Sequence, residues 1–247
     1  MRTLKKYHKF VSFYRVNFLQ MMLLVGVLCV GGLFFPHTAN AGGVALGATR
    51  VIYPFDSKQT ALAITNSDEK NRFLIQSWME NENGQKTTDF VLTPPLFVSK
   101  PGSENTLRII FSGKALPQDR ESLYWLNSKS IPAVDTDDLK GKNVLQIAVL
   151  SRIKVFVRPS GLETPSIEAP KQLRFSRQGA DLRIENPSPY YVTLVDFKYG
   201  TQRLDSTMIA PKSQMVVKLP ATRSDVISYQ TIDDYGASSP EITTKIN

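Results

Sequence analysis

The most constraining feature of this chain is the run from Asn143 to Pro159, Asn-Val-Leu-Gln-Ile-Ala-Val-Leu-Ser-Arg-Ile-Lys-Val-Phe-Val-Arg-Pro. Fully extended, it would reach about 50 Å, well beyond the usual strand of five or six residues. With a period of two, Leu145, Ile147 and Val149 share one face of the strand, while Val144, Gln146 and Ala148 share the other. Past Leu150-Ser151 the apolar pattern reads as losing phase, with Arg152 and Lys154 on one parity and Ile153, Val155 and Val157 on the other. A bulge near Ser151 is expected to restore a single apolar face. Two placements satisfy such a strand: a central position with both faces covered, or an edge that keeps its aliphatic ridge open to another chain. Soluble proteins normally protect such edges, because unpaired backbone recruits foreign strands.

The amino terminus bears on where the chain works. Arg2, Lys5, Lys6, Lys9 and Arg15 precede any acidic residue, Phe18 to Phe35 is almost wholly apolar, and Ala39-Asn40-Ala41 has the small-x-small pattern of a cleavage site. This predicts a secretory signal over residues 1–41, removed after Ala41. An uncleaved anchor is the competing reading, since the apolar stretch is just long enough to cross a bilayer; Pro36, breaking the helix ahead of Ala-Asn-Ala, favours cleavage. A lipoprotein is disfavoured, because Leu28 stands before Cys29 where a small residue is expected.

Cleavage also removes chemistry. Cys29, His8 and His37 are the chain's cysteine and histidines, and all three leave with the signal. Cys–His and Ser–His–Asp nucleophilic sites and zinc sites built on His or Cys are thereby excluded from the mature chain. No acid–base pair has the spacing to recommend an enzyme, and no Gly-x-x-x-x-Gly-Lys-Ser/Thr phosphate loop is present. Losing the five basic residues named above takes the net charge from +8 to +3. With no basic run or basic-aromatic repeat left, nucleic-acid binding has little support. Removing 41 of 247 residues leaves 206, which suits two domains stabilised by packing alone, without disulfides.

Along the chain, Val44–Tyr53, Thr60–Asn66, Arg72–Glu80, Phe90–Leu92, Leu96–Ser99, Thr106–Phe111 and Leu123–Leu126 read as short strands separated by turn signals such as Asn83-Gly84 and Thr93-Pro94-Pro95. Pro132 to Asn143 is polar and solvated. Gly161 to Pro170, with Pro165 and Pro170, reads as a hinge and linker. Leu173–Arg177, Asp181–Glu185, Tyr190–Phe197, Gln214–Leu219, Val226–Thr231 and Ile242–Ile246 continue the pattern, with Asn186-Pro187-Ser188-Pro189 as a strong turn and Tyr190 and Tyr191 as core and edge packing. Short strands without helical periodicity predict an all-β chain of sandwich domains.

The block Leu116-Pro-x-Asp-Arg-Glu-Ser-Leu-x-Trp-x-Asn127 followed by Ile131-Pro132, with Val144–Ile147, Ile153–Pro159, Asn186-Pro187-x-Pro189-Tyr190-Tyr191-Val192 and Asp234-Tyr235-Gly236, resembles the periplasmic pilus chaperones of the chaperone–usher pathway. The resemblance covers residues 42–247; Ser128, where the family prefers an aliphatic, is a mild departure. It implies two immunoglobulin-like β-sandwich domains in a boomerang arrangement, residues 42–160 and 161–247, after the signal. It implies a chaperone that lends Leu145, Ile147 and Val149 to the groove of a pilus subunit and passes the subunit to an outer-membrane usher. It further implies that Arg50 and Lys154 grip the subunit's C-terminal carboxylate, and that Glu121, Arg158 and Asp234, or Asp233 in its place, form interdomain ion pairs. No cofactor or metal is implied, and the mature chain is expected in the periplasm, not embedded in a membrane. The short Pro132–Asn143 loop favours the pilus-assembling branch over the one that makes thin capsular fibres. A secreted immunoglobulin-like adhesin or structural subunit is the rival reading, and it gives no reason for Arg50 and Lys154 to share a cleft.

Overall fold

The computed structural model describes residues 42–133, 145–222 and 224–246. The expected signal over residues 1–41 and most of the expected polar loop fall outside them. The chain between is almost entirely strand: β1 (Val44–Leu46), β2 (Arg50–Pro54), β3 (Thr60–Asn66), β4 (Phe73–Asn81), β5 (Phe90–Thr93), β6 (Leu96–Ser99), β7 (Glu104–Phe111), β8 (Ser122–Pro132) and β9 (Val149–Arg158) form one group. A second comprises β10 (Arg174–Gln178), β11 (Asp181–Asn186), β12 (Val192–Tyr199), β13 (Gln202–Arg203), β14 (Thr207–Ile209), β15 (Ser213–Lys218), β16 (Val226–Thr231) and β17 (Ile242–Lys245).

Each group is a sandwich. In the first, a sheet ordered β1-β3-β7-β5 faces a sheet ordered β2-β9-β8-β4-β6. Leu62, Ile64, Leu107 and Ile109 from one meet Ile75, Leu126, Val155 and Val157 from the other in a dry core. In the second, β10-β11-β15 faces β13-β12-β16-β17, with β14 also on β12, around Phe175, Leu182, Ile184, Leu194, Phe197 and Tyr229. The alternation that marked these segments as strands is the alternation that fills these interiors. The Asn186-Pro187-Ser188-Pro189 turn is fixed from inside: the buried Asn186 amide donates to the carbonyls of Tyr190 and Ala210 at 2.7 and 3.0 Å, and its carbonyl oxygen accepts the Ser188 amide.

Four expectations need correction. The strand read over Val44–Tyr53 is two strands in opposite sheets, β1 pairing with β3 and β2 with β9. The chain changes sheets at Gly47, where a Cβ would lie 3.0 Å from that of Ala63. The hinge segment contains a 3-10 turn, Ser166–Glu168, and a helical turn, Ala169–Gln172, whose Ala169 is buried in the second core. Ser151 carries no bulge, since β8 and β9 pair in unbroken register from Ser122↔Val157 to Ser130↔Val149. Every odd-numbered residue of β9 already shares one face, and Ser151 is only a polar member of it. A register shift does occur in β12 between Val195 and Lys198, where Asp196 has φ +45°.

The long strand is also shorter than expected. Among the described residues, 145–148 have no ladder partner, and β9 begins at Val149. The cause is its neighbour: continuing the register would set Ile147 opposite Pro132, which has no N–H to give. The Pro132 carbonyl instead accepts the Gln146 side-chain amide at 2.6 Å.

Candidate functional site

β9 divides into two unlike halves. From Lys154 to Arg158 it lies between β8 and the parallel strand β2, with Val155, Phe156 and Val157 buried. From Val149 to Ile153 it pairs with β8 alone among the described residues. Ahead of that open half the ridge stands in solvent: Leu145 is 84 % exposed, Ile147 63 % and Val149 55 %. Three large aliphatics on one parity beside an unpaired edge form a surface that a soluble chain would ordinarily cover.

At the junction of the halves, Arg50 and Lys154 are direct register partners across β2 and β9. Both project from the outer face of the sheet, opposite the parity of the buried Val51 and Val155. The Arg50 Nη1 donates to the Ile232 carbonyl at 3.1 Å and the Lys154 Nζ to the Thr193 hydroxyl at 3.3 Å, both in the second sandwich. Burial lowers the pKa of each; the adjacent Arg50 charge lowers that of Lys154 further, whereas Asp234 and Asp233 pull Arg50 back up. Among the described residues, the Nε of Arg50 is buried without a hydrogen-bond acceptor. Two partly desolvated cations side by side with an unused donor make a site that an anion would relieve.

Beside them lies an ion network. Arg158 donates Nε to the Glu121 carboxylate at 2.7 Å and both terminal nitrogens to Asp234 at 2.7 Å each. Ser166 adds a hydroxyl to Asp234 at 2.9 Å, and the second Glu121 oxygen accepts the Tyr191 amide at 2.9 Å. Glu121, with 2 % of its side chain exposed, is raised by burial against the pull of Arg158. Burial also works to raise Asp234, but the Arg158 bonds and charge outweigh it and the net shift is downward. Asp233 is occupied elsewhere, accepting the amides of Tyr235 and Ala237 at 3.0 and 2.8 Å. Gly236, at φ +89°, presses this turn against β2's approach, where a Cβ would fall 2.1 Å from the Thr49 hydroxyl. A cleft of about 570 Å³ between these elements is lined by Arg50, Phe156, Arg158, Tyr191, Ile232 and Asp234.

Some contacts here have no sequence signal. Phe156 packs against Tyr191 with ring centroids 5.5 Å apart and planes tilted by 34°, the Tyr191 hydroxyl donates to Glu82 at 3.1 Å, and Lys212 reaches Asp119 at 2.8 Å from a backbone with φ +50°. Tyr191 was expected at an edge, but its role as a bridge between sandwiches needs both folds to be known. Among the described residues, no group of three His, Cys, Asp or Glu side chains is placed to hold a metal.

Family models agree with this architecture. Residues 43–163 match the pili and flagellar-assembly chaperone PapD N-terminal domain, and residues 168–243 the pili assembly chaperone PapD C-terminal domain. The chain belongs to the PapD-like pilus-assembly chaperones. Within this chaperone family it is 52 % identical over 207 residues to the probable fimbrial chaperone SfmC of Escherichia coli K12, covering 84 % of this chain and 90 % of that one. It is 47 % identical over 222 residues to the chaperone FimC of the same strain, covering 90 % and 91 %. The crystal structure of the periplasmic chaperone SfaE superposes with a TM-score of 0.72 at 47 % identity, over 81 % of this chain and 98 % of that one. A chain in the complex of the Salmonella enterica SafA pilin with its SafB chaperone superposes with a TM-score of 0.73 at 26 % identity, over 83 % and 96 %.

Proposed function

We propose that this chaperone works in the periplasm, where it binds, folds and caps fimbrial subunits by lending them a strand and delivers them to an outer-membrane usher. Residues 1–41 act as a cleaved export signal, 42–160 form the subunit-binding domain and 161–247 the second immunoglobulin-like domain. Strand addition at a sheet edge is a general mode of capture, of which chaperone–pilin pairs are themselves a standard instance. Leu145, Ile147 and Val149 fill the subunit's groove, and burying them contributes about 5 to 9 kcal/mol gross before association and ordering costs. Backbone pairing along β9 is indifferent to side chains, which suits a protein that serves several related subunits.

Arg50 and Lys154 hold the subunit's C-terminal carboxylate and so fix register; a slip of one residue would turn the subunit's apolar side chains away from the ridge. Glu121, Arg158 and Asp234 hold the angle between the domains. The observation that carries this reading is the pairing of Arg50 with Lys154 at the point where β9 passes from its closed to its open half. The test is co-purification from periplasm with mass identification of the partner. Wild-type protein should bring down a fimbrial subunit, while Arg50→Ala and Lys154→Ala should fold normally and recover none. Wild-type yields from either variant would remove the carboxylate anchor.

A further inference from the structure

Among the described residues the open half of β9 has a neighbour on one side only, yet it must stay extended for the ridge beside it to be usable. Backbone pairing to β8 is one constraint. A second crosses the outer face of the sheet, opposite the parity of the ridge. The Arg152 guanidinium lies over the Trp125 ring of β8, 4.0 Å from its centroid, and its Nη2 donates to the Glu80 carboxylate of β4 at 3.0 Å. The other Glu80 oxygen accepts the Trp78 indole N–H at 3.0 Å, and the Lys86 ammonium stands 5.5 Å over the Trp78 ring. Register explains the reach: Arg152 faces Asn127, while Trp125, one row on, faces Glu80. One side chain thus links three strands, from β9 across β8 to β4.

We propose that Arg152 is a positioning residue for subunit capture, stapling the open half of β9 through Trp125 and Glu80 so that a strand is presented ready-made to the incoming chain. The geometry singles it out. Among the described residues, Arg152 is the basic residue of the Val149–Ile153 half, and its guanidinium lies over an aromatic ring while hydrogen-bonded to a carboxylate, a pairing that the delocalised, forked cation of arginine suits better than the ammonium of lysine. Glu80 has 16 % of its side chain exposed and both oxygens committed. Its pKa is lowered, by the Trp78 hydrogen bond above all and by Arg152, so it stays charged at neutral pH. The staple leaves the ridge face free, and ordering before capture removes an entropic cost from binding.

This inference rests on the strand-lending role proposed above, and the test separates the two. Backbone amide exchange is measured on the free mature protein, together with the dissociation rate of the fimbrial subunit recovered with wild-type protein from periplasm. In Arg152→Ala, the β8-facing amides between Val149 and Ile153 should exchange about tenfold faster while those of Val155 and Val157 hold, and the subunit should leave about tenfold faster. Arg152→Lys should recover only part of both effects, and Glu80→Gln should shift both in the same direction by less. Unchanged exchange in Arg152→Ala overturns the proposal, whatever the dissociation rate, since faster release alone would make Arg152 a direct contact. Faster exchange with unchanged dissociation overturns its role in capture. If Ile147→Asp and Lys154→Ala also retain the subunit like wild type, the strand-lending role itself fails, while the exchange result still reports on the staple.

Discussion

The two halves of β9 have nearly the same composition and opposite surroundings. Val155 and Val157 are buried between two sheets, with β2 on one side of their strand and β8 on the other. Val149, on the same face six residues before Val155, is 55 % exposed beside an edge that β2 does not reach. Hydrophobicity does not distinguish them; the number of neighbouring strands does. The same apolar periodicity thus stabilises the fold at one end of a strand and leaves an exposed aliphatic ridge at the other.

That contrast can be broken most severely from its closed end. Val155→Asp places an unpaired carboxylate in the dry core and should cost about 4 kcal/mol or more, seen as loss of the cooperative unfolding transition or of soluble protein. Arg158→Met, at the last residue of the closed half, leaves Glu121 buried without its partner and should cost about 3 kcal/mol in denaturant melts. At the open end the same kind of change should spare the fold. Ile147→Asp should leave stability within about 0.5 kcal/mol while weakening subunit capture by about 1.5 to 3 kcal/mol, measured as an affinity. If Ile147→Asp instead unfolds the domain, the two halves are alike and the ridge belongs to the protein's own core.

The smallest effect is on pH dependence at the junction. Burial, with Arg50 beside it, lowers the Lys154 pKa in the free chaperone, and a carboxylate placed against it would raise that value again. A group whose pKa rises on binding favours the complex fully below its free-state value and loses that advantage as pH rises through its bound-state value. Affinity should therefore decline as pH rises on the alkaline side, with a proton taken up on binding across the same interval. Calorimetry across that range checks both.

Much of this architecture is written in local pattern. Period-two alternation located most strands and put Leu145, Ile147 and Val149 on one face without any tertiary knowledge. The Ser151 bulge was an overreading: a hydroxyl and two basic residues look like a break in phase, although odd parity runs unbroken to Val157. The early end of the strand at Val149 could not be read from the strand itself, because it is set by Pro132 on a different one. The division at Gly47 depends on a sheet change, which periodicity does not encode. The meeting of Arg50 with Lys154 requires a parallel pairing between distant segments, and only resemblance to a family suggested it. Between Asp233 and Asp234 sequence had no basis to choose; the turn's own amides claim the first and leave the second for Arg158.

The uninterrupted odd face of β9 sets a spacing. From Val157 back to Val149, the chaperone's interior and the start of its exposed ridge share a single count, so Lys154 and Val149 stand a fixed gauge length apart. One residue inserted or deleted at Ser151 would leave Val155 and Val157 seated while turning the ridge to the opposite face. A surface loop elsewhere could change length without moving the ridge, whereas a change within this interval would turn it over.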